Sequence, residues 1–476
     1  MPRAAERMSR VDTAWLRMDN DVNLMMIVGV WMLTPAITLQ ALRERIGDKL
    51  LRYPRFHQKA VQGAIGAEWV EDDAFDLEAH VVPALLQPRP GESERHALQR
   101  LCGELAMQPL DPGRPLWQFH LIDGYQGGSA MIARVHHCIG DGIALISVML
   151  SITDGGGNPP EREVPDDTPD SDWLQDAVVK PLAVLAIKAI KLSGSGASKA
   201  LDAVDDPLQR LLGSVGLART GLKVARDAAA LATLADDSPT LLKGRPAGRK
   251  VVAWSEPMPL DPVKTIGKAL GCTVNDVLLA CVAGAMGHYL QDRGDDPAGK
   301  SIRAMVPVNL RPLEEAWQLG NRFGLAPLVL PIGIDHPLQR LFAVRQGMAE
   351  LKESYQPLLA FAVLSASGLF IQSVQDAVLG LFAKKATAVM TNVPGPAVPL
   401  KLCGATLRQN MFWVPASGDI GVGVSILSYG GGVQFGLITD EALCPDPQSM
   451  IDLFEPEFEK LLLLTLMLPW PGQADA

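Results

Sequence analysis

Residues 129–152 read SAMIARVHHCIGDGIALISVMLSI, and the fold is decided where the β-prone run SAMIARVHH gives way to the apolar helix-forming run GIALISVMLSI. Such a junction is a strand feeding a helix through a tight turn. Upstream, PLWQFHLID (115–123) is a second β-like run, and the intervening GYQGG (124–128) is turn-forming, so the two runs predict a hairpin. At the junction stand His136, His137, Asp141 and Gly142. Successive strand side chains point to opposite faces, so one histidine of the pair projects into any given cavity, and His137, nearest the turn, is the choice. A neutral imidazole takes a hydroxyl proton near neutral pH and returns it to a leaving group. His137 is therefore the candidate general base. Asp141 lies across the turn, where its carboxylate holds the loop through an ion pair or backbone N–H groups, and Gly142 permits close backbone approach at the helix start. Two other readings of the same letters are a metal site and an inert hydrogen-bonded core pair. Adjacent strand histidines diverge and no other His/Cys cluster stands out, so no metal is expected.

Moving outward, NLMMIVGVWML (23–33) is β-prone, and Thr38 is placed to cap a helix from about Leu39 to Leu51. Residues 153–172 (TDGGGNPPEREVPDDTPDSD) read as a solvated linker. Residues 173–240, rich in Ala, Leu and Val and spotted with lysines and arginines, predict crossover helices. A second block starts near Arg249 and contains a helix Val274–Leu290, the strand AMVPVNL, Gly-rich strands over 420–439 and a helix near 450–467. The expected organisation is residues 1–152, a linker with crossover helices at 153–248, and a second domain over 249–476.

The chain has 476 residues, 48% hydrophobic and 20% charged, enough for two or three domains with full cores and too apolar for a disordered scaffold. Lys+Arg 43 against Asp+Glu 53 gives a net charge of −10, which excludes a broad positive field for nucleic acid. Six scattered cysteines form no C-x-x-C pair and fit a reducing cytoplasm. The first residues lack the apolar core of a secretory signal. The uncharged stretches 22–42 and 354–375 reach the length of a membrane span but are interrupted by Pro, Gly and polar residues, so an integral helix is not expected.

The motif H-H-x-x-x-D-G is the signature of the coenzyme-A-dependent acyltransferase superfamily. Together with PLDPGRPLW (109–117), TVNDVLLA (273–280), AMVPVNLRP (304–312), GNRFG (320–324), AVMTNVPGP (388–396), MFWVPASGDIGVGVSILSY (411–429) and FGLITD (435–440), it closely resembles the bacterial wax ester synthase/acyl-CoA:diacylglycerol acyltransferase family. The resemblance implies an α/β fold of two chloramphenicol-acetyltransferase-like domains, mixed sheets flanked by helices, with a reaction channel between them. It implies acyl transfer from acyl-CoA, as co-substrate and with no cofactor, to diacylglycerol or a long-chain alcohol, giving triacylglycerol or wax ester. His137 deprotonates the acceptor hydroxyl and no acyl-enzyme forms. A carrier-protein-dependent condensation enzyme and a non-catalytic lipid-surface protein are the competing readings.

Asn275 matches the family's Asn-Asp pair and is placed to hydrogen-bond substrate or oxyanion. Asp276 is a substrate-site candidate by the same pair, against a capping-box reading with Thr273. Trp117 is either channel wall or core, Arg311 is the candidate partner of Asp141, and V-P-G-P (393–396) predicts a type II turn. Met26 stands where many members have His, which makes it a candidate for the acceptor wall. Lys243, Arg245, Arg249 and Lys250 are candidates for CoA phosphates, and the segment 173–240 is a candidate for peripheral attachment to a membrane or lipid inclusion. The oligomeric state is left open.

Overall fold

The computed structural model describes residues 5–63, 66–157, 226, 227, 230, 234–310, 319–367 and 383–468. In chain order the strands are β1 (Glu6–Arg7), β2 (Met26–Thr34), β3 (Gln58–Gly63), β4 (Gly66–Glu71), β5 (Val81–Ala84), β6 (Trp117–Asp123), β7 (Ser129–His136), β8 (Lys250–Trp254), β9 (Met258–Pro259), β10 (Ile302–Asn309), β11 (Phe323–Leu330), β12 (Ala388–Pro394), β13 (Lys401–Leu402), β14 (Ala405–Trp413), β15 (Val422–Tyr429) and β16 (Gly432–Asp440). They build two large mixed sheets, of order β13-β14-β2-β7-β6-β5 and β11-β10-β12-β15-β16-β8, the second with β9 on β16, and a small sheet β1-β4-β3. The hairpin β6–β7 pairs Trp117 with Val135 through Asp123 with Ser129. Every residue of β7 is buried, as an apolar run in the middle of a covered sheet must be. The helix Gly142–Ser151 follows after a short turn.

The second sheet is built on the helix Val274–Asp292, whose positions from Asp276 to Gly287 are all buried. Its start is a full capping box. Thr273 N donates to Asp276 Oδ2 (2.8 Å) and Asp276 N donates to Thr273 Oγ1 (3.1 Å). The two reciprocal bonds satisfy donors that would otherwise be orphaned at a helix start.

Two expectations are corrected. A division at residue 249 does not separate the sheets, because β14 crosses back and pairs with β2, from Thr406 opposite Thr34 to Trp413 opposite Val28. Without β14, the buried apolar strand β2 would be an open edge, a template for aggregation. The V-P-G-P turn does not form either. β12 runs on through Pro394, in register with Ser428 of β15, and Gly395 does not take the positive φ a type II turn needs. Glycine is needed there for another reason, since a Cβ at 395 would lie 2.5 Å from the Ser428 carbonyl oxygen. Of the crossover region 173–240, only residues 226, 227, 230 and 234–240 are described. The uncharged stretch 22–42 is the strand β2, a turn and the helix Leu39–Lys49. No single helix among the described residues is long and apolar enough to cross a membrane.

Candidate active site

β7 ends at His136, and the backbone N–H of His137 donates to the Met25 carbonyl (2.7 Å), which fixes the chain as it leaves the sheet. From this point the two imidazoles part. His136 Nδ1 accepts the Cys138 backbone N–H (3.1 Å), so its proton sits on Nε2, 3.3 Å from Asp19 Oδ1. Its ring lines a cleft of about 310 Å³ with Asp19, Leu24 and Met26. His137 lines a different space, an apolar cavity of about 850 Å³ walled by residues of both halves of the chain, among them Ile143, Leu278, Met305, Phe323 and Phe361. That volume lies near the top of the usual range for small-molecule sites.

The His137 ring is stacked on Trp15, with centroids 4.2 Å apart and planes 11° from parallel, and Phe323 closes in at 5.5 Å. Its Nδ1 is sealed from solvent, which leaves Nε2 as the nitrogen that meets the cavity. Burial among aromatic rings lowers the pKa of His137 to about 4, because a charged imidazolium loses its hydration there. At physiological pH the ring is neutral and able to accept a proton. The adjacent Cys138 thiol is pushed the other way, its pKa raised well above the ordinary value by burial, so a nucleophilic thiolate is not available.

Asp141 stitches the motif to the second half of the molecule. Its Oδ1 accepts the Ala144 N–H (3.0 Å) as the N-cap of the helix Gly142–Ser151, and its Oδ2 accepts the backbone N–H of Arg322 (3.0 Å). The backbones of Gly140 and Gly320 form a bridge beside it. Gly142 also lines the cavity. Arg311, the expected partner of Asp141, lies outside the described residues.

The loop at 320–322 carries residues that sequence reasoning did not assign. Asn321, buried, donates through Nδ2 to the His137 carbonyl oxygen (2.7 Å) and to Asp12 Oδ1 (2.7 Å), and its backbone N–H donates to the same Asp12 oxygen (3.0 Å). Burial raises the pKa of Asp12 against the lowering effect of its Asn321 and Ser9 hydrogen bonds. Asp12 and Trp15 sit on one short helix, Arg10–Leu16, so a single element supports the base by its ring and by its backbone. The signal in the sequence was GNRFG itself, but a buried asparagine cannot be told from a turn residue without its partners.

Of the substrate-site candidates, Asn275 is in the cavity wall, and its Oδ1 accepts from Asn392 Nδ2 (2.6 Å), another wall residue. The other three are not there. Asp276 is buried and occupied by the capping box. Trp117 is core, 1% exposed, with Nε1 donating to the Phe56 carbonyl (2.8 Å) and His80 stacked on its ring. Met26 pairs with His136 across the β2–β7 ladder and so faces the smaller cleft, on the opposite side from His137. Two basic candidates for CoA phosphates are also spent internally. Lys243 Nζ donates to the carbonyls of Ala383 (2.6 Å) and Ala386, and Lys250 Nζ to Asn23 Oδ1 (2.8 Å) and Asp440 Oδ2 (3.4 Å). Arg249 pairs with Glu441.

Two mixed sheets meet around a cavity with a neutral histidine of an H-H-x-x-x-D-G turn in its wall, and this fold is shared with condensation domains. The first condensation domain of the calcium-dependent antibiotic synthetase superposes with a TM-score of 0.59 at 13% identity, over 98% of this chain and 97% of that one. A solved wax ester synthase/diacylglycerol acyltransferase from Marinobacter aquaeolei VT8 superposes with a TM-score of 0.67 at 22% identity, over 97% of this chain and 100% of that one. The family model for the wax ester synthase/diacylglycerol acyltransferase catalytic domain matches residues 8–278, and the WS/DGAT C-terminal domain matches residues 319–462. Among relatives, the probable diacylglycerol O-acyltransferase tgs2 of Mycobacterium tuberculosis is 30% identical over 425 residues, 86% of each chain, and tgs1 of the same organism is 26% identical over 439 residues, 90% of this chain and 89% of its own. The chain belongs to the wax ester synthase/diacylglycerol acyltransferase family.

Proposed function

We propose that the protein transfers a fatty acyl group from acyl-CoA to the hydroxyl of diacylglycerol or a long-chain alcohol, with His137 as general base and no cofactor. One observation carries the reading: a buried, neutral imidazole opens onto an apolar cavity large enough for lipid chains. His137 Nε2 takes the hydroxyl proton as the acceptor oxygen attacks the thioester carbonyl. A C–O bond forms, the carbonyl becomes an oxyanion, and its collapse breaks the C–S bond. The proton held on His137 then passes to the departing CoA sulfur, and the imidazole is neutral again. Asn275, with its carbonyl oxygen engaged by Asn392 and its N–H₂ group held, among the described residues, only by the weak acceptor Met348 Sδ (4.0 Å), has an N–H to donate to the oxyanion. The buried and protonated Cys138 gives no support for an acyl-enzyme. Asp141 and Asn321 act by holding the base and the two halves in register. Because its acceptors partition into lipid, we place the enzyme on the cytoplasmic side at a membrane or lipid-inclusion surface.

The test is product analysis with palmitoyl-CoA offered hexadecanol and dioleoylglycerol together. Ester formation with one CoA released per ester is expected. Turnover only with an acyl-carrier-protein thioester, or lipid binding without CoA release, would overturn the reading.

A further inference from the structure

The cavity that would hold an acyl chain is apolar, and the phosphates of CoA cannot follow the chain into it without losing their hydration. They must stay where the cavity meets solvent. One such place is marked by Lys352 and Leu358, which line the cavity and are exposed. Lys352 ends the helix Pro337–Lys352, of which Val344, Met348 and Leu351 are buried. Arg345 stands seven residues before Lys352 and three before Met348, a spacing that puts all three along one face of the helix. Met348 itself is in the cavity wall, 4.0 Å from Asn275 Nδ2. The Arg345 guanidinium lies beside the Gly271–Cys272 turn that leads into Asn275.

In a chain with ten more carboxylates than Lys and Arg side chains, both of these exposed cations lack an ion-pair partner among the described residues. The acids of the same helix segment do not meet them. Glu350 is engaged by Gln346 (3.0 Å), and Glu350 and Glu353 project from other sides of the helix by their spacing. Two unpaired cations two turns apart, about 10 Å along the axis, therefore flank the wall residue Met348 at an opening of the cavity.

We propose that Arg345 and Lys352 form the site for the phosphates of CoA, receiving the phosphorylated end of the donor while its thioester reaches His137. The proposal rests on the acyl-CoA reading above and adds the donor's binding residues to it. Arg suits bidentate contact with a phosphate and Lys supplies a point charge.

The experiment compares KM for palmitoyl-CoA with KM for palmitoyl-pantetheine, which keeps the thioester and lacks every phosphate. Wild type should show the lower KM with palmitoyl-CoA, and added salt should narrow the gap. Each of Arg345→Ala and Lys352→Ala should reduce that preference roughly five-fold, as expected for an exposed charge contact, and the double variant should bring the two KM values together. Arg345→Lys and Lys352→Arg should keep most of it. A preference that persists in the double variant, or an equal rise in KM for both donors, overturns the proposal while leaving acyl transfer by this enzyme intact. Failure of wild type to turn over either donor overturns the proposed function together with this site.

Discussion

Asn321 Nδ2 lies 2.7 Å from the backbone carbonyl oxygen of His137, so a residue from the second half of the chain holds the main chain of the candidate base in the first. The same amide group and its backbone N–H grip Asp12. Asn321→Ala removes both side-chain donors, leaving the His137 carbonyl and one bond to buried Asp12 unmet, a loss that typically costs about 1–3 kcal/mol per group. The expected outcome is a lower melting temperature together with a fall in kcat, KM for the donor changing less. Asn321→Asp should be worse, since it sets a second acid against Asp12. A variant with wild-type kcat would show that this contact does not position the base.

His137→Ala should lower kcat by roughly 10²–10⁴-fold, the usual contribution of a positioned base. His136→Ala should cost less, because its ring faces the smaller cleft and is tied to Asp19. Steady-state rates with melting curves check this, and equal losses at equal stability would contradict the assignment of the two faces.

The depressed pKa of His137 sets a pH dependence with a definite sign. Free enzyme with a base of pKa about 4 should keep kcat/KM level from pH 8 down to about 5.5, where an ordinary histidine of pKa about 6.5 would already have lost most of its neutral form. Stability follows from the same shift. Between about pH 6.5 and 4 the unfolded chain binds a proton at this residue that the folded chain does not, so folding stability falls as pH drops through that window. His120, lowered to about 4 by burial, and His80, lowered in the same direction for the same reason, add to the effect. A pH–rate profile and melting temperatures from pH 8 to 5 read both, and a kcat/KM that halves near pH 6.5 would contradict the burial argument.

Asp141→Ala removes a helix N-cap and the acceptor of the Arg322 N–H. Loss of a cap costs about 0.5–2 kcal/mol, and the buried N–H adds to it. A melting temperature several degrees lower is expected, with activity falling alongside. An unchanged melting temperature would mean that the turn is held by other contacts.

Met26→His should leave the ratio of wax ester to triacylglycerol unchanged, because Met26 lies beside His136 and outside the large cavity. A competition assay between hexadecanol and diacylglycerol decides it. A shifted ratio would mean that the smaller cleft takes part in acceptor choice.

The β6–β7 hairpin, the turn at Asp141 and the capped helix at Thr273 were legible because each is written in contiguous residues with a local physical cause: alternation, a Gly-flanked acid, a Thr-x-x-Asp cap. The return of β14 to β2 was not, since nothing in residues 405–413 says which sheet edge they will cover. The V-P-G-P turn was misread because local turn preference yielded to the ladder between β12 and β15. Trp117 and Asp276 have the residue types of a site and the surroundings of a core and a cap. Asp12, Trp15 and Asn321 went unassigned for the converse reason: Trp15 and Asn321 take their meaning from contacts to His137 122 and 184 residues away, Asp12 from its bonds to Asn321, and only His137 itself carries a local signal.

The central claim is most directly tested by a single turnover of wild type and His137→Ala with palmitoyl-CoA labelled in the acyl group and hexadecanol or diacylglycerol as acceptor. Wild type is predicted to give labelled ester and free CoA in equal amounts, with no label on protein, and His137→Ala to do so roughly 10²–10⁴ times more slowly while still folded at the assay temperature. Label retained on the protein, or a near wild-type rate without His137, would contradict it.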